Sequence, residues 1–160
     1  MQADFINPFV DAVYNLCTKM LAVRAVRSAL TVSDGPKHPS EVMGLIGFSG
    51  VVRGTVALAM PRTTSDAMAR RLLNTDCVSD DATVSDSVAE MVNIVAGQAK
   101  AQLSLKLKQT LELSLPVVLS GQEYEVYSPS RALWLEIPFE TDLGPLTVRL
   151  SFQSTGAAAS

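Results

Sequence analysis

Apolar positions recur at helical spacing in some stretches of the chain and alternate at strand spacing in others. Phe9, Val13, Leu16, Cys17 and Met20 form one stripe over residues 5–20, with Asn7 placed as N-cap and Pro8 at the first helical position. Residues 42–49 and 55–60 are short, rich in Val, Ile and Leu, and separated by the Gly-containing stretch from Gly50 to Gly54, which predicts a β-hairpin. After Pro61, residues 63–74 predict a short helix ended by Asn74, and a polar link follows from Thr75 to Asp81. A long helix is expected from near Asp81 to Leu107, with Val84, Val88, Met91, Val92, Val95 and Ala99 on its apolar side. Beyond it, residues 111–119, 123–127, 133–139 and 146–152 are candidate strands, with alternation clearest in 131–140 and 146–152. Trp134 alternates with Leu133 and Leu135 and could face either side of a sheet, as a core or interface residue rather than a ligand-stacking one.

The order helix, hairpin, helix, helix, strands implies an α+β fold, an antiparallel β-sheet with long helices packed on it. A long helix followed by strands occurs twice, from Phe5 and again from Asp81, as a duplicated unit about a pseudo-twofold axis would give, although identity between the halves does not establish a repeat. One domain over residues 1–153 is expected, with 154–160 as a flexible tail that has nothing to bury.

Composition narrows the function. At 160 residues, 48% hydrophobic and 18% charged, the chain can bury one substantial core and gives little reason to expect two. A net charge of -3 and a pI near 5.1 leave no broad cationic surface, with Lys and Arg scattered apart from Arg70-Arg71 and Lys106 with Lys108, so nucleic acid and membrane are not expected partners. The start lacks the basic-then-apolar order of a signal peptide and no apolar run nears the roughly 18 residues of a membrane span, which reads as a cytoplasmic chain. Cys17 and Cys77 have no metal-type spacing, and His38, the one histidine, sits in a turn-rich loop. Without a second histidine there is no multi-His metal cage, and no Ser-His-Asp set unless His38 is recruited. Walker-type and dinucleotide-binding glycine loops are missing too. Catalysis must rest on carboxylates and amides or on groups lent by a partner.

The long helix supplies such groups. At about 100° per residue, Asp86, Glu90 and Asn93 fall within roughly a 60° stripe opposite the apolar side. An acid and an amide fixed on a rigid rod can dock on another molecule and orient its reacting groups. Plainer roles stand beside this one. Ser87 and Glu90 have capping-box spacing, Asn93 could simply face solvent, and Asp86 could be a first-turn acid complementing the helix dipole. Gly97, a turn beyond Asn93, could admit a partner or pack tightly against the protein's own sheet. Pro116 is expected to shape a bulge or edge near the site.

Asp86, three residues, Glu90, two residues, Asn93, a further twenty-two residues and then Pro116 together resemble the signature of the CheC, CheX and FliY family of chemotaxis phosphatases. The opening helix with Ile6-Asn7-Pro8-Phe9 and the Gly-rich hairpin after Glu41 are similar to the CheX branch. The resemblance implies a phosphatase acting on the phospho-aspartate of a CheY-type response regulator. It implies that Glu90 docks on the regulator's active-site lysine and that Asn93 positions the attacking water, by analogy with the Gln amide of GTPases. Asp86 and Gly97 would contact the partner. No cofactor is expected in this chain; Mg2+ would be supplied by the response-regulator substrate. CheC-type members carry a second Glu and Asn motif on the first helix, where this chain offers only Asp11 and Asn15, so one site per chain is expected. The resemblance also implies a homodimer joined edge to edge through its sheets. The alternative is a non-catalytic dimeric adaptor that binds a response regulator or a flagellar switch component.

Overall fold

In the computed structural model, which describes residues 2–33, 40–78, 80–121 and 133–154, the centre of the sheet is built from two hairpins. The first pairs β3 (Val42–Ser49) with β4 (Val52–Met60), as the sequence predicts. The second pairs β7 (Trp134–Thr141) with β8 (Gly144–Ser154), which runs one residue past the expected end of the domain. Its turn depends on Gly144, at φ 124°, where a Cβ would also strike the hydroxyl of Thr64. The hairpins meet through antiparallel β4 and β8, from Val52 opposite Ser154 to Ala59 opposite Thr147. Outside them lie β1 (Ala25–Arg27) and β2 (Thr31–Ser33) on β7, and β5 (Glu112–Leu113) and β6 (Val117–Ser120) on β3.

Among the described residues this gives an antiparallel sheet whose order reads the same from both edges: a split edge strand, a hairpin, a hairpin, a split edge strand. Each half is preceded by a long helix, α1 (Gln2–Asn15) or α3 (Asp81–Leu107). The duplicated architecture is therefore in the topology even though the two halves' sequences do not display it. A shorter helix, α2 (Arg62–Leu73), links the halves and ends at Asn74 in the left-handed conformation, as expected.

The helices cover one face of the sheet. Ile46, Phe48, Val56, Leu58, Leu135, Ile137, Phe139, Val148 and Leu150 point to that face and join Phe9, Val13, Leu16, Val88, Met91, Val92 and Val95 in a continuous core. The other face carries Met43, Ala57 and Ala59, the buried pair of Arg149 and Glu136 with Nε to Oε1 at 2.8 Å, and Trp134, which is buried.

Three local expectations are corrected. Asn7 is not an N-cap and Pro8 is not at a helix start: α1 begins at Gln2 and Pro8 lies inside it. Proline has no N–H to donate to the carbonyl four residues back, that of Asp4, and the ammonium of Lys106 donates to this oxygen instead at 3.3 Å. The single strand expected over 111–119 is two, because Ser114 leaves the ladder. Its Oγ accepts from the Gly47 N–H at 2.9 Å, and its own N–H donates to the Gly47 carbonyl at 2.8 Å. The sequence reading also missed β1 and β2. The strand expected over 123–127, His38 and residues 155–160 lie outside the described residues.

Candidate functional site

The stripe rests on α3, so what fixes this helix fixes the site. Asp80 caps its start, accepting from the Thr83 backbone N–H at 2.6 Å, and Asp81 in the first turn pairs with Arg62 of α2 at 2.7 Å. Hydrogen bonds from the Thr83 side chain and backbone hold the Asp80 carboxyl below its ordinary value. Midway along, the helix lies on β3 at Gly44, where an added Cβ would come within 2.9 Å of Val88 Cγ1 and 3.4 Å of Val92 Cγ1. That close approach seats the apolar side of α3 on the sheet and turns the opposite side outward. At the far end Lys108 closes the helix in the left-handed conformation.

On the outward side Asp86, Glu90 and Asn93 are all exposed, with Gly97 half-buried beyond them. Neither the Glu90 carboxylate nor the Asn93 amide has an ion-pair or hydrogen-bond partner among the described residues. Two of the plainer roles meet obstacles here. Ser87 is buried inside a helix that has already begun at Asp81, and its hydroxyl donates to the Thr83 carbonyl at 3.0 Å, so it cannot open a capping box with Glu90. Asp86 lies beyond the first turn, where Asp81 already complements the dipole. Among the described residues an added Cβ at Gly97 would meet nothing within 4 Å, which excludes tight packing against the described sheet as the reason for glycine there.

Pro116 is not on the stripe. It is half-buried in the break between β5 and β6, just before Val118 pairs with Gly44, the residue on which Val88 sits. It lies at the edge of the sheet on one flank of α3. The opposite flank is α1, which runs antiparallel to α3, with Asn15 Nδ2 donating to Gln98 Oε1 at 3.5 Å and Lys106 reaching Asp4.

The arrangement is a flat, water-exposed ridge. Among the described residues no cluster of His, Cys, Asp or Glu is grouped to hold a metal ion, and no helix is long and apolar enough to cross a membrane. An exposed acid and amide can act on another protein that brings the reactive group with it; by themselves they cannot enclose a small substrate.

Comparison with known proteins gives the family and the fold. The family model described as chemotaxis phosphatase CheX matches residues 42–140. Among solved structures, a CheC-like superfamily protein from Shewanella sp. PV-4 is 27% identical with a TM-score of 0.85, covering 96% of this chain and 99% of that one. The chemotaxis protein CheX from Desulfovibrio desulfuricans is 23% identical with a TM-score of 0.84, covering 94% and 99%. The CheX–CheY–BeF3–Mg2+ complex from Borrelia burgdorferi matches at 24% identity and a TM-score of 0.75, covering 93% and 97%. No curated protein sequence gives a significant match.

Proposed function

The chain belongs to the CheX family of chemotaxis phosphatases, and from that premise we propose that it hydrolyses the aspartyl phosphate of a CheY-type response regulator. The observation that carries this reading is the pair Glu90 and Asn93, exposed, without partners among the described residues and one turn apart on a helix fixed at both ends. The complex of the Borrelia relative with CheY supports the choice of partner.

In this reading Glu90 forms an ion pair with the regulator's active-site lysine and so sets the register of docking. Asn93 then lies beside the acyl phosphate, where its amide holds a water in line with the bond to be broken. Water attacks phosphorus, the bond between phosphorus and the aspartyl oxygen breaks, and the products are the free aspartate carboxylate and inorganic phosphate. Phosphoryl transfer requires little covalent work from the protein, so orientation of water and neutralisation of charge suffice. The charge is neutralised by the regulator's own lysine and Mg2+, which arrive with the substrate. Asp86 and Gly97 extend the contact on either side, with Gly97 offering close approach for the partner's backbone. The edges of the sheet provide the means for homodimerisation, through antiparallel pairing that leaves both α3 ridges free.

The decisive experiment mixes the purified chain with phosphorylated regulator and follows phosphate release. Faster release that requires Mg2+, with no comparable activity on an aryl phosphate, supports the proposal. Binding without faster release selects a non-catalytic adaptor. Glu90→Ala should weaken both association and turnover, and a variant that changes neither removes Glu90 from the site. Light scattering should report twice 17.1 kDa for the active species; an active monomer refutes the dimer.

A further inference from the structure

Seven residues beyond Asn93 the same ridge carries Lys100, about 20° around the helix and about 10 Å along it. It is half-buried, and its side chain lines a shallow apolar hollow with Phe9, Phe48, Leu103, Leu111 and Leu113. Its ammonium has no ion-pair or hydrogen-bond partner among the described residues. Four other cations are engaged within the fold: Arg24 with Asp142, Arg62 with Asp81, Arg149 with Glu136, and Lys106 with the Asp4 carbonyl. A lysine whose stem lies along apolar surface while its head stays in water has fewer conformers to lose when the head is engaged.

The charges along α3 are also ordered. Asp80, Asp81, Asp86 and Glu90 precede Asn93, whereas Lys100, Lys106 and Lys108 follow it. A partner that meets Glu90 with a cation must meet the next turns with groups that suit a positive end. We propose that Lys100 is a positioning residue for the regulator, pairing with an acidic side chain on the regulator surface about 10 Å from the phosphoryl group. Opposite charges on the two sides of Asn93 then admit the regulator in one direction along α3 and reject the reversed one, since like charges would face each other at both ends. The inference rests on the regulator-phosphatase reading and adds to it a second, oppositely charged docking contact.

The test is a steady-state series on the intact chain with phosphorylated regulator at low salt, comparing Lys100→Arg, Lys100→Gln and Lys100→Glu. Lys100→Gln should raise KM about threefold and Lys100→Glu about tenfold, with kcat within about twofold of the unaltered protein, while Lys100→Arg keeps the original KM. The differences should shrink as salt rises to about 0.5 M. A merely structural lysine would not give a charge-graded KM, rescue by arginine and loss of the effect in salt. Unaltered KM in both Lys100→Gln and Lys100→Glu, or a fall in kcat at constant KM, overturns the assignment. If the unaltered chain binds the regulator without accelerating phosphate loss, the phosphatase reading fails on its own, and the same charge series read in the dissociation constant decides for or against Lys100.

Discussion

The two halves of the molecule share a strand order, yet their leading helices have been put to different uses. In the first half α1 carries Pro8 within it, gives way to a π-helical turn at Leu16–Met20, and uses its amide internally, Asn15 on Gln98. In the second half α3 runs 27 residues between two caps, and its amide, Asn93, has no partner among the described residues and lies one turn from Glu90, which has none among them either. The same scaffold therefore presents an amide in one copy and absorbs it in the other. What separates a ridge from a packing helix is whether the neighbours satisfy the polar group. The fold itself does not decide it, which is why function has to be argued from α3 and not from the sheet.

The sharpest way to break this comparison is to remove each amide in turn. Asn93→Ala should slow regulator dephosphorylation by about 100-fold or more with binding largely kept, since the amide acts chiefly on water at the transition state. Asn15→Ala should leave the rate within about twofold, because its partner is Gln98 and not the substrate. Rates measured at saturating regulator separate the two. Equal losses in both variants would mean that the halves are functionally alike.

A second contrast concerns two glycines. Gly44 lies under Val88 and Val92, so Gly44→Val forces α3 off the sheet and should cost about 1–3 kcal/mol by denaturant unfolding. Gly97 has no neighbour among the described residues where its Cβ would be, so Gly97→Ala should stabilise the free chain by about 0.5–1 kcal/mol through helix propensity. If a partner packs against Gly97, the same variant should raise KM for the regulator. Gain of stability with unaltered KM would leave Gly97 outside the docking surface.

How far the sequence could be read follows the same divide. The bounds of α3 and the position of the ridge were legible because its caps, apolar periodicity and polar stripe are all local signals. The first half was harder because its structure depends on distant partners. Asn7-Pro8 has the form of a helix start, and nothing nearby tells that Lys106 will cover the carbonyl that Pro8 leaves bare. β1 and β2 are three residues each and owe their extended form to β7, more than a hundred residues away, so no alternation marks them. Leu111 to Leu119 reads as one apolar strand until Gly47 takes Ser114 out of line. The exposure of Glu90 and Asn93 was predictable, but their lack of internal partners is a tertiary fact, as is the hollow along which Lys100 lies.

Pro8 offers a smaller test of the first half. Pro8→Ala restores an N–H to the Asp4 carbonyl, and the gain should be about 1 kcal/mol, below the roughly 3 kcal/mol typical of interior prolines because Lys106 already serves that oxygen. Unfolding midpoints of Pro8→Ala with and without Lys106→Met measure the sharing. If the lysine substitution costs the same in both backgrounds, the Lys106 contact contributes nothing to α1.

A pH-dependent effect lies at the end of α1, where Cys17 is fully enclosed and burial pushes its thiol from 9.0 up to about 11. Between those values the unfolded chain has lost the proton that the folded chain retains. The contribution of this thiol is therefore fully present below pH 9.0 and is lost as pH rises through about 11. Cys77 is exposed and carries no such protection. An alkylating reagent at pH 8 should modify Cys77 in the native protein and reach Cys17 only with denaturant present. Unfolding midpoints followed from pH 8 to 11 should fall more steeply for the unaltered chain than for Cys17→Ala, the difference isolating this thiol. Parallel curves, or rapid native labelling of Cys17, would show that the junction of α1 with its π-helical turn opens to solvent, and the first half would then be the looser of the two.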